Sequence, residues 1–195
     1  MGWMRPERNS LQNRLFACLL VLSGATISCT PAPAAPSATI ETCFSPEDEC
    51  AAFAVRAIDR ARQEILVGAY SLTTGAGIVE ALLRAHQRGV EVKLIADKRT
   101  PCGRNSGIDP LVSAGVPVWI DNSARIAHTK TMVIDGAVTL NGSYNWTRGA
   151  AANSEDLNLV ASPVVAEAYA GHWRDRQVRS LRFDRREDWC RAGTR

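Results

Sequence analysis

Lysine and histidine are scarce in this sequence. Only three of its 23 basic residues are lysines, at positions 93, 98 and 130, and it has three histidines. The net charge of +3 is too small to indicate a nucleic-acid partner by itself. The other basic residues are arginines, whose planar guanidinium group can bind a phosphate through two parallel hydrogen bonds. The arginine bias therefore fits a phosphate-containing ligand, although genomic base composition would produce the same bias.

The chain also lacks an apolar run long enough to cross a bilayer as a helix of the mature protein. Residues 15–27 are apolar but too few, and they follow arginines at positions 5, 8 and 14. This pattern is typical of a secretory signal peptide, which we predict at 1–28. A retained membrane anchor is the alternative.

The segment after the apolar run bears on localisation. Residues 29–42 are rich in proline and alanine, which predicts a linker. Thr26–Cys29 is a poor version of a bacterial lipoprotein cleavage box, so lipidation of Cys29 stays open. We expect an exported protein, periplasmic or secreted, with a lipid anchor as a variant and no stable membrane span after processing.

No CxxC pair is present among the cysteines. An even number follows the predicted linker: Cys43, Cys50, Cys102 and Cys190. In an oxidising compartment they could form two disulfides, and Cys43 and Cys50 are the expected first pair because they are close in sequence. A zinc site is the rival interpretation, but the spacing does not favour it and the histidines are remote. We expect no metal and no other cofactor.

Hydrophobic periodicity predicts an α/β fold. The predicted helices cover residues 45–62, 78–88, 108–114 and 164–178, and the predicted strands cover 64–71, 90–95, 116–120, 131–134, 137–140 and 157–161. Strands that alternate with helices and then form a hairpin predict a mixed β-sheet flanked by helices, an α/β/α sandwich. We place this domain at 43–180 and a basic C-terminal tail at 181–195.

Asp135-Gly136 lies between two β-like runs and predicts a two-residue hairpin turn. Ile134 would then pair with Ala137. Paired residues share a face of a sheet, as do residues two apart on one strand. The hairpin would thus gather one set of polar side chains, with Lys130 opposite Asn141, His128 opposite Ser143, and Asn145 two residues further on.

These residue types suit phosphoryl chemistry. An imidazole such as that of His128 can attack phosphorus and later release the product to water. Lys130 would neutralise charge on the non-bridging oxygens, and Ser143 and Asn145 would donate hydrogen bonds to the same phosphate. A carboxylate is still needed to orient the imidazole and stabilise its cationic form, and Glu155, at the start of the next strand, is the candidate.

Asp135 requires a separate argument. On a straight strand its side chain would lie on the face opposite His128, which favours a structural role in closing the hairpin. Direct participation in the chemistry is the alternative, so Asp135 stays among the candidate catalytic residues.

The spacing of these residues resembles the signature of the phospholipase D superfamily. The matching residues are His128, Lys130 and Asp135, then Gly142-Ser143-Tyr144-Asn145, then Asn153-Ser154-Glu155. The similarity is greatest to the small secreted bacterial endonucleases of that superfamily and extends from about Cys43 to Val178. It includes Phe44-Ser45-Pro46, Ala69-Tyr70-Ser71, the run from Arg88 to Lys93, and His172-Trp173-Arg174-Asp175.

The resemblance implies a phosphodiesterase that needs no metal and forms a covalent phosphohistidine. It also implies two such motifs per active site, one histidine attacking phosphorus and the other protonating the leaving oxygen. This chain has one motif, because His86 and His172 lie in predicted helices with no lysine two residues later. A homodimer with its active site on the two-fold axis would supply the second motif.

Three functions share this motif. The first is a nuclease with little sequence preference for DNA or RNA, its phosphate contacts supplied by Lys98, Arg99, Arg104, Arg125, Arg148 and the C-terminal arginines. The second is a phospholipase D that removes lipid headgroups, although the chain shows no amphipathic surface helix. The third is a catalytically silent nucleic-acid-binding protein, which the intact motif disfavours.

Overall fold

A computed structural model describes residues 37–184 and 189–190. The strands are β1 (Thr39–Ser45), β2 (Glu64–Ala69), β3 (Glu91–Asp97), β4 (Val118–Asp121), β5 (Lys130–Ile134), β6 (Val138–Gly142), β7 (Glu155–Ala161) and β8 (Leu181–Arg182). The helices are α1 (Cys50–Arg60), α2 (Ile78–Gln87), α3 (Ile108–Ser113) and α4 (Pro163–Val178). Short 3₁₀ turns cover Thr100–Cys102 and Arg148–Ala152.

All eight strands form one mixed sheet in the order β1-β7-β6-β5-β2-β3-β4-β8. The pairs β2–β3 and β3–β4 are parallel, and the other neighbours are antiparallel. Helices α1 and α2 pack on one face through the larger apolar core, whereas α4 covers the other face. The predicted mixed sheet flanked by helices is confirmed.

The two faces of the sheet are sealed by different residues. The larger core contains fully buried aliphatic side chains, among them Ile58, Ile65 and Leu82. On the other face, Trp173 of α4 is buried and its indole N–H donates to the carbonyl of Val67 at 2.8 Å. This contact fixes α4 across β2, close to the site described below.

The N-terminal edge of the sheet differs from the prediction. β1 begins at Thr39, so the segment 29–42, predicted as a linker, ends inside the sheet. Ser45 belongs to β1 and does not cap a helix, and α1 begins only at Cys50. The pairing of β1 with β7 is a contact between distant parts of the chain, which local periodicity does not reveal.

The β5–β6 hairpin is shifted by one residue from the predicted register. Ile134 pairs with Val138 rather than with Ala137, and Thr131 pairs with Asn141. Asp135 and Gly136 both have positive φ, at 52° and 61°, and the Ala137 N–H donates to the Ile134 carbonyl at 3.1 Å, as expected of an Asp-Gly turn. Ala137 is nevertheless left out of the strand pairing, so three residues separate the paired positions. The prediction that Lys130 faces Asn141 and His128 faces Ser143 is therefore wrong.

Both expected disulfides are present. Cys43 is bonded to Cys50 and Cys102 to Cys190. Part of the segment predicted as a basic tail, 181–195, is structured: it includes β8, and Phe183 is buried. The predicted signal peptide at 1–28 lies outside the described residues. Within 37–184 and 189–190, no helix is long and apolar enough to cross a membrane.

Candidate active site

Apart from Asp135, the predicted site residues lie along one edge of the sheet, which is formed by the ends of several strands and not by a lateral strand. β2 and β3 end at this edge, and β5, antiparallel to β2, begins there with Lys130 opposite Ala69. β6 ends there and β7 starts there with Glu155. The residues before β5, after β6 and at the start of β7 therefore lie close together at this edge.

His128 and Lys130 are in direct contact. The Lys130 ammonium nitrogen lies 2.9 Å from Nδ1 and 3.2 Å from Nε2 of His128, and it donates to the His128 carbonyl at 2.8 Å. The side of the imidazole is covered by Tyr70, whose ring centre lies 4.2 Å from that of His128. His128 is exposed and Lys130 is buried. A substrate can therefore reach the imidazole, while the ammonium group that contacts it is shielded from solvent.

Burial acts on the charge of Lys130. Desolvation lowers the pKa of its ammonium group, and the negative charge of Glu155 raises it in part. Tyr70 adds a further contact, since the Lys130 nitrogen lies 4.7 Å from the centre of its ring. Glu155 is thus within electrostatic range of Lys130, while its predicted role of orienting the His128 imidazole stays a prediction.

The backbone around His128 is held on both sides. The carboxylate of Asp97 accepts a hydrogen bond from the Ala127 N–H at 2.8 Å, and the Tyr70 N–H donates to the Thr129 carbonyl at 2.7 Å. Asp97 is fully buried at the end of β3. These contacts position a residue that lies outside any helix or strand.

The segment after β6 wraps around Asp156. The N–H groups of Ser143 and Tyr144 both donate to the Asp156 carbonyl at 3.1 Å, and the Ser143 hydroxyl accepts from the Asp156 N–H at 3.1 Å. A Cβ atom at Gly142 would lie 2.2 Å from the Asp156 carbonyl oxygen, so only glycine permits this approach. The Gly-Ser-x-Asn segment thereby ties the end of β6 to the start of β7.

Asn145 and Glu155 flank this Gly-Ser-x-Asn contact and differ in their hydrogen bonding. The side-chain oxygen of Asn145 is buried and lacks a hydrogen-bond partner among the described residues. Glu155 accepts a hydrogen bond from the Asn153 amide at 3.1 Å. Burial raises the pKa of the Tyr144 hydroxyl, and the negative charge of Glu155 raises it further. An unpaired buried oxygen of this kind is costly, and because it is an acceptor only a hydrogen-bond donor can satisfy it.

One predicted contributor lies elsewhere. Asp135 is at the far end of β5, where its carboxylate accepts hydrogen bonds from the N–H groups of residues 62, 63 and 64 at 2.8–3.0 Å. These contacts favour a structural role for Asp135 over direct participation in the chemistry, and both roles stay predictions. Asn141, by contrast, lines a cavity together with His128, and its amide donates there to the Tyr169 hydroxyl of α4 at 2.7 Å.

Arg99 was predicted as a phosphate contact, but nothing in the sequence indicated that Tyr70 and Asp97 would join it at the site. Tyr70, Asp97 and Arg99 come together only because parallel strands β2 and β3 end side by side. A cavity of about 660 Å³ adjoins His128 and Lys130 and is closed on its other side by α4, including Tyr169 and His172. His172 was predicted to be a surface or packing residue. Within the described residues, no cluster of three or more metal-ligating side chains occurs.

Known proteins resemble this chain over most of the folded region. Residues 54–174 match the family described as "Cardiolipin synthase, PLD-like domain". A "Phospholipase D" from Rickettsia felis is 34% identical over 140 residues, which cover 71% of this chain and 70% of that protein. The "Mitochondrial cardiolipin hydrolase" of Xenopus tropicalis is 40% identical over 93 residues, 47% of this chain and 44% of that protein.

A solved structure gives the same result. Nuc from Salmonella typhimurium, described as a phospholipase D family member, superimposes with a TM-score of 0.72 and 31% identity. The match covers 76% of this chain and the whole of that one. Together with the residues gathered around His128, these similarities show that the chain belongs to the phospholipase D superfamily and is a hydrolase of phosphodiester bonds.

Proposed function

We propose that this protein is an endonuclease with little sequence preference that hydrolyses DNA or RNA. The observation that supports this proposal is the presence of exposed arginines around the opening of the site, which we call its rim. The exposed side chains of Arg99 and Arg125 lie on loops beside His128: Arg99 follows β3, and Arg125 is three residues before the histidine. Exposed cations around a phosphodiester-cleaving site suit a polyanionic strand.

The same rim offers little to a lipid surface. Among the described residues, the exposed large apolar side chains are Ile40, Phe44, Ile126, Val164, Val178 and Leu181. Only Ile126 belongs to the loop that carries His128. A phospholipase D that hydrolyses lipid headgroups remains the second candidate, because the Rickettsia felis and Xenopus tropicalis relatives are named for lipid hydrolysis.

The proposed chemistry uses a covalent intermediate and no metal. An imidazole nitrogen of His128 attacks phosphorus, and the bond from phosphorus to the leaving oxygen breaks. Lys130, Ser143 and Asn145 stabilise the charge on the non-bridging oxygens, and Glu155 balances the positive charge that accumulates. Water then attacks the phosphohistidine, the P–N bond breaks, and His128 is restored.

The leaving oxygen needs a proton, which in this proposal comes from a second copy of the motif. A homodimer with the active site at its two-fold axis would place two His128 side chains on opposite sides of one phosphate. The exposed position of His128 at the sheet edge supports this arrangement, because a partner could reach it.

Export is the proposed localisation, periplasmic or secreted and with a lipid anchor at Cys29 as a variant. The two disulfides support it, since structural disulfides persist in oxidising compartments. Cell fractionation of the tagged full-length chain would test it: a tag signal confined to the cytoplasm would contradict export.

One parallel assay distinguishes the functions. Single-stranded DNA, RNA and phosphatidylcholine vesicles are incubated with the protein in the presence of EDTA, with His128→Asn as the inactive control. We expect nucleic acid to be degraded by the wild type alone, more slowly at high salt. Choline release without nucleic-acid cleavage would contradict the proposal and favour the phospholipase, and binding without turnover would favour a silent nucleic-acid-binding protein.

A further inference from the structure

Tyr70 connects the reacting residues with Arg99. The Tyr70 ring centre lies 4.2 Å from that of His128, 4.7 Å from the Lys130 ammonium nitrogen and 5.4 Å from the guanidinium carbon of Arg99. The guanidinium carbon of Arg99 is therefore no more than about 10 Å from the imidazole centre. A strand that carries one phosphate per about 3.4 Å of helix axis would have more than one phosphate within that limit.

Arg99 is oriented although it is exposed. Its side chain is 57% exposed, yet its Nε donates to the buried carboxylate of Asp97 at 3.1 Å. One Nη approaches the Tyr70 hydroxyl at 3.4 Å. Asp97 also accepts the backbone N–H of Arg99 at 3.0 Å, so both ends of the residue are held. The remaining guanidinium donors project from a fixed base, which lowers the entropy lost when an anion binds.

This anchoring separates Arg99 from the other cations of the rim. Arg104 and Arg125 lie in exposed loops, whereas Arg99 is bound to a side chain that is itself fully buried. Asp97 uses its second oxygen for the Ala127 N–H beside His128. A single buried carboxylate therefore sets the position of both the nucleophile's loop and this guanidinium, which fixes the distance between the two.

We propose that Arg99 binds the phosphodiester next to the one that is cleaved, so that the site recognises two consecutive phosphates of a nucleic-acid strand. This proposal rests on the proposed nuclease function and specifies its substrate: at least two linked phosphodiesters. Lys130 neutralises the scissile phosphate, and Arg99 contacts its neighbour through charge-assisted hydrogen bonds.

The test removes the neighbouring charge from the substrate and the guanidinium from the protein. The substrate is a thymidine trinucleotide, with either both linkages as phosphodiesters or one replaced by an uncharged methylphosphonate on the 5′ or the 3′ side. kcat/KM is measured for cleavage of the intact linkage. We expect neutralisation on one side to lower this value about 10- to 100-fold in the wild type, the range of a charged hydrogen bond.

Arg99→Ala should lower kcat/KM on the charged trinucleotide, and neutralising the neighbouring linkage should then cause no further fall. Arg99→Lys should retain part of the sensitivity to neutralisation. Arg60→Ala is the matched control, because Arg60 is an exposed arginine that ends α1 near the opposite edge of the sheet. Its sensitivity to neutralisation should equal that of the wild type. Thermal unfolding checks that each variant is folded.

The outcomes separate the two proposals. If the wild type cleaves the trinucleotide but Arg99→Ala remains as sensitive to neutralisation as the wild type, Arg99 is only a structural partner of Asp97 and the proposal fails. A wild type equally active on charged and neutralised substrates also overturns it. If the wild type cleaves no nucleic acid, the nuclease function itself fails and the proposal with it.

Discussion

The carboxylate of Asp97 holds the backbone N–H of Ala127, the residue immediately before His128. Asp97 is fully buried at the end of a central strand, whereas His128 is exposed and lies outside regular structure. The Asp97 carboxylate accepts three hydrogen bonds from the protein, and these fix its position. The core of the sheet thus sets the position of His128, the proposed nucleophile.

Asp97→Asn should therefore impair catalysis more than binding. The amide retains one acceptor oxygen but loses the charge, and it presents N–H groups towards either Ala127 or Arg99. We expect kcat to fall about 10- to 100-fold, the range associated with a displacement of a catalytic group by about 1 Å, with a smaller change in KM. Steady-state kinetics on single-stranded DNA measure both constants.

Asp59→Asn is the control for Asp97→Asn. It also removes a carboxylate from an arginine pair, with Arg84, but on the exposed surface between α1 and α2. The control should keep the wild-type kcat. If Asp97→Asn matches it within about twofold while remaining folded, the positioning role is wrong.

Asp135 is expected to affect stability and not chemistry. Its carboxylate accepts three backbone N–H groups at the start of β2, and its φ of 52° is tolerated better by Asp and Asn than by Ala. Asp135→Ala should reduce the free energy of unfolding by about 2–3 kcal/mol, and Asp135→Asn by less. Urea denaturation measures this loss.

Activity assays complete the test of Asp135. At a temperature at which Asp135→Ala is folded, its kcat should lie within about twofold of the wild type, because the turn is at the opposite end of β5 from Lys130. A fall of more than about tenfold in a folded variant would return Asp135 to the catalytic residues.

Lys130 should set the alkaline limit of activity. Burial lowers its pKa below 10.5, and only the protonated ammonium group can neutralise a phosphate. Activity is therefore lost as pH rises through this lowered pKa. Lys130→Arg, with a guanidinium that stays charged, should reduce the maximal rate but move the alkaline limb of the profile to higher pH. An unchanged limb would assign it to another group.

The same pKa shift affects stability with the opposite sign. Between the folded pKa of Lys130 and 10.5, the unfolded chain binds more protons than the folded one, so the free energy of unfolding rises with pH in that window. Lys130→Met should abolish this rise and leave the protein inactive but folded. Urea denaturation at a series of alkaline pH values measures it, and a rise that persists in the variant would contradict this assignment.

The two disulfides should contribute unequally to stability. Cys102–Cys190 joins residues 88 apart and Cys43–Cys50 joins residues 7 apart. In the loop-entropy account, the longer link stabilises by about 4–5 kcal/mol and the shorter by about 2–2.5 kcal/mol. Cys102→Ser/Cys190→Ser should therefore lose more free energy of unfolding than Cys43→Ser/Cys50→Ser. Equal losses would contradict the loop-length argument.

Local signals in the sequence predicted most of the fold. Helix α2 was predicted at 78–88 and lies at Ile78–Gln87, because an apolar stripe and a terminal glycine mark it. The hairpin register could not be predicted in the same way. The Asp-Gly turn is present, but Ala137 is left out of the strand pairing, and the Asp135 carboxylate binds the N–H groups of residues 62–64, which no local turn pattern indicates.

The candidate site was predicted in part. His128 and Lys130 are two residues apart, so their proximity needed no tertiary information, and the contact at 2.9 Å bears it out. Tyr70 and Asp97 reach the same edge from separate strands, and nothing in their local sequence indicates that edge. The sequence motif therefore identifies the groups proposed to react, whereas the groups that hold them depend on the topology of the sheet.

We expect a homodimer with a shared active site, because one chain supplies a single His128 and the proposed reaction needs two imidazoles. In a shared site, a dimer with one His128→Asn subunit lacks either the attacking or the protonating imidazole. After denaturation and refolding of an equal mixture of wild-type and His128→Asn chains, random pairing leaves about one quarter of the dimers intact. Activity should therefore fall to about one quarter, and not to the half expected of independent sites.

A fixed total protein concentration and sedimentation velocity on each mixture control for assembly. A fully active monomer would contradict the shared site. In that case His172, which lines the same cavity as His128, becomes the candidate proton donor, and His172→Asn should then abolish activity in the monomer. Under the dimer proposal, the protonating imidazole is instead that of the partner's His128, so His172→Asn should lower kcat far less than His128→Asn does.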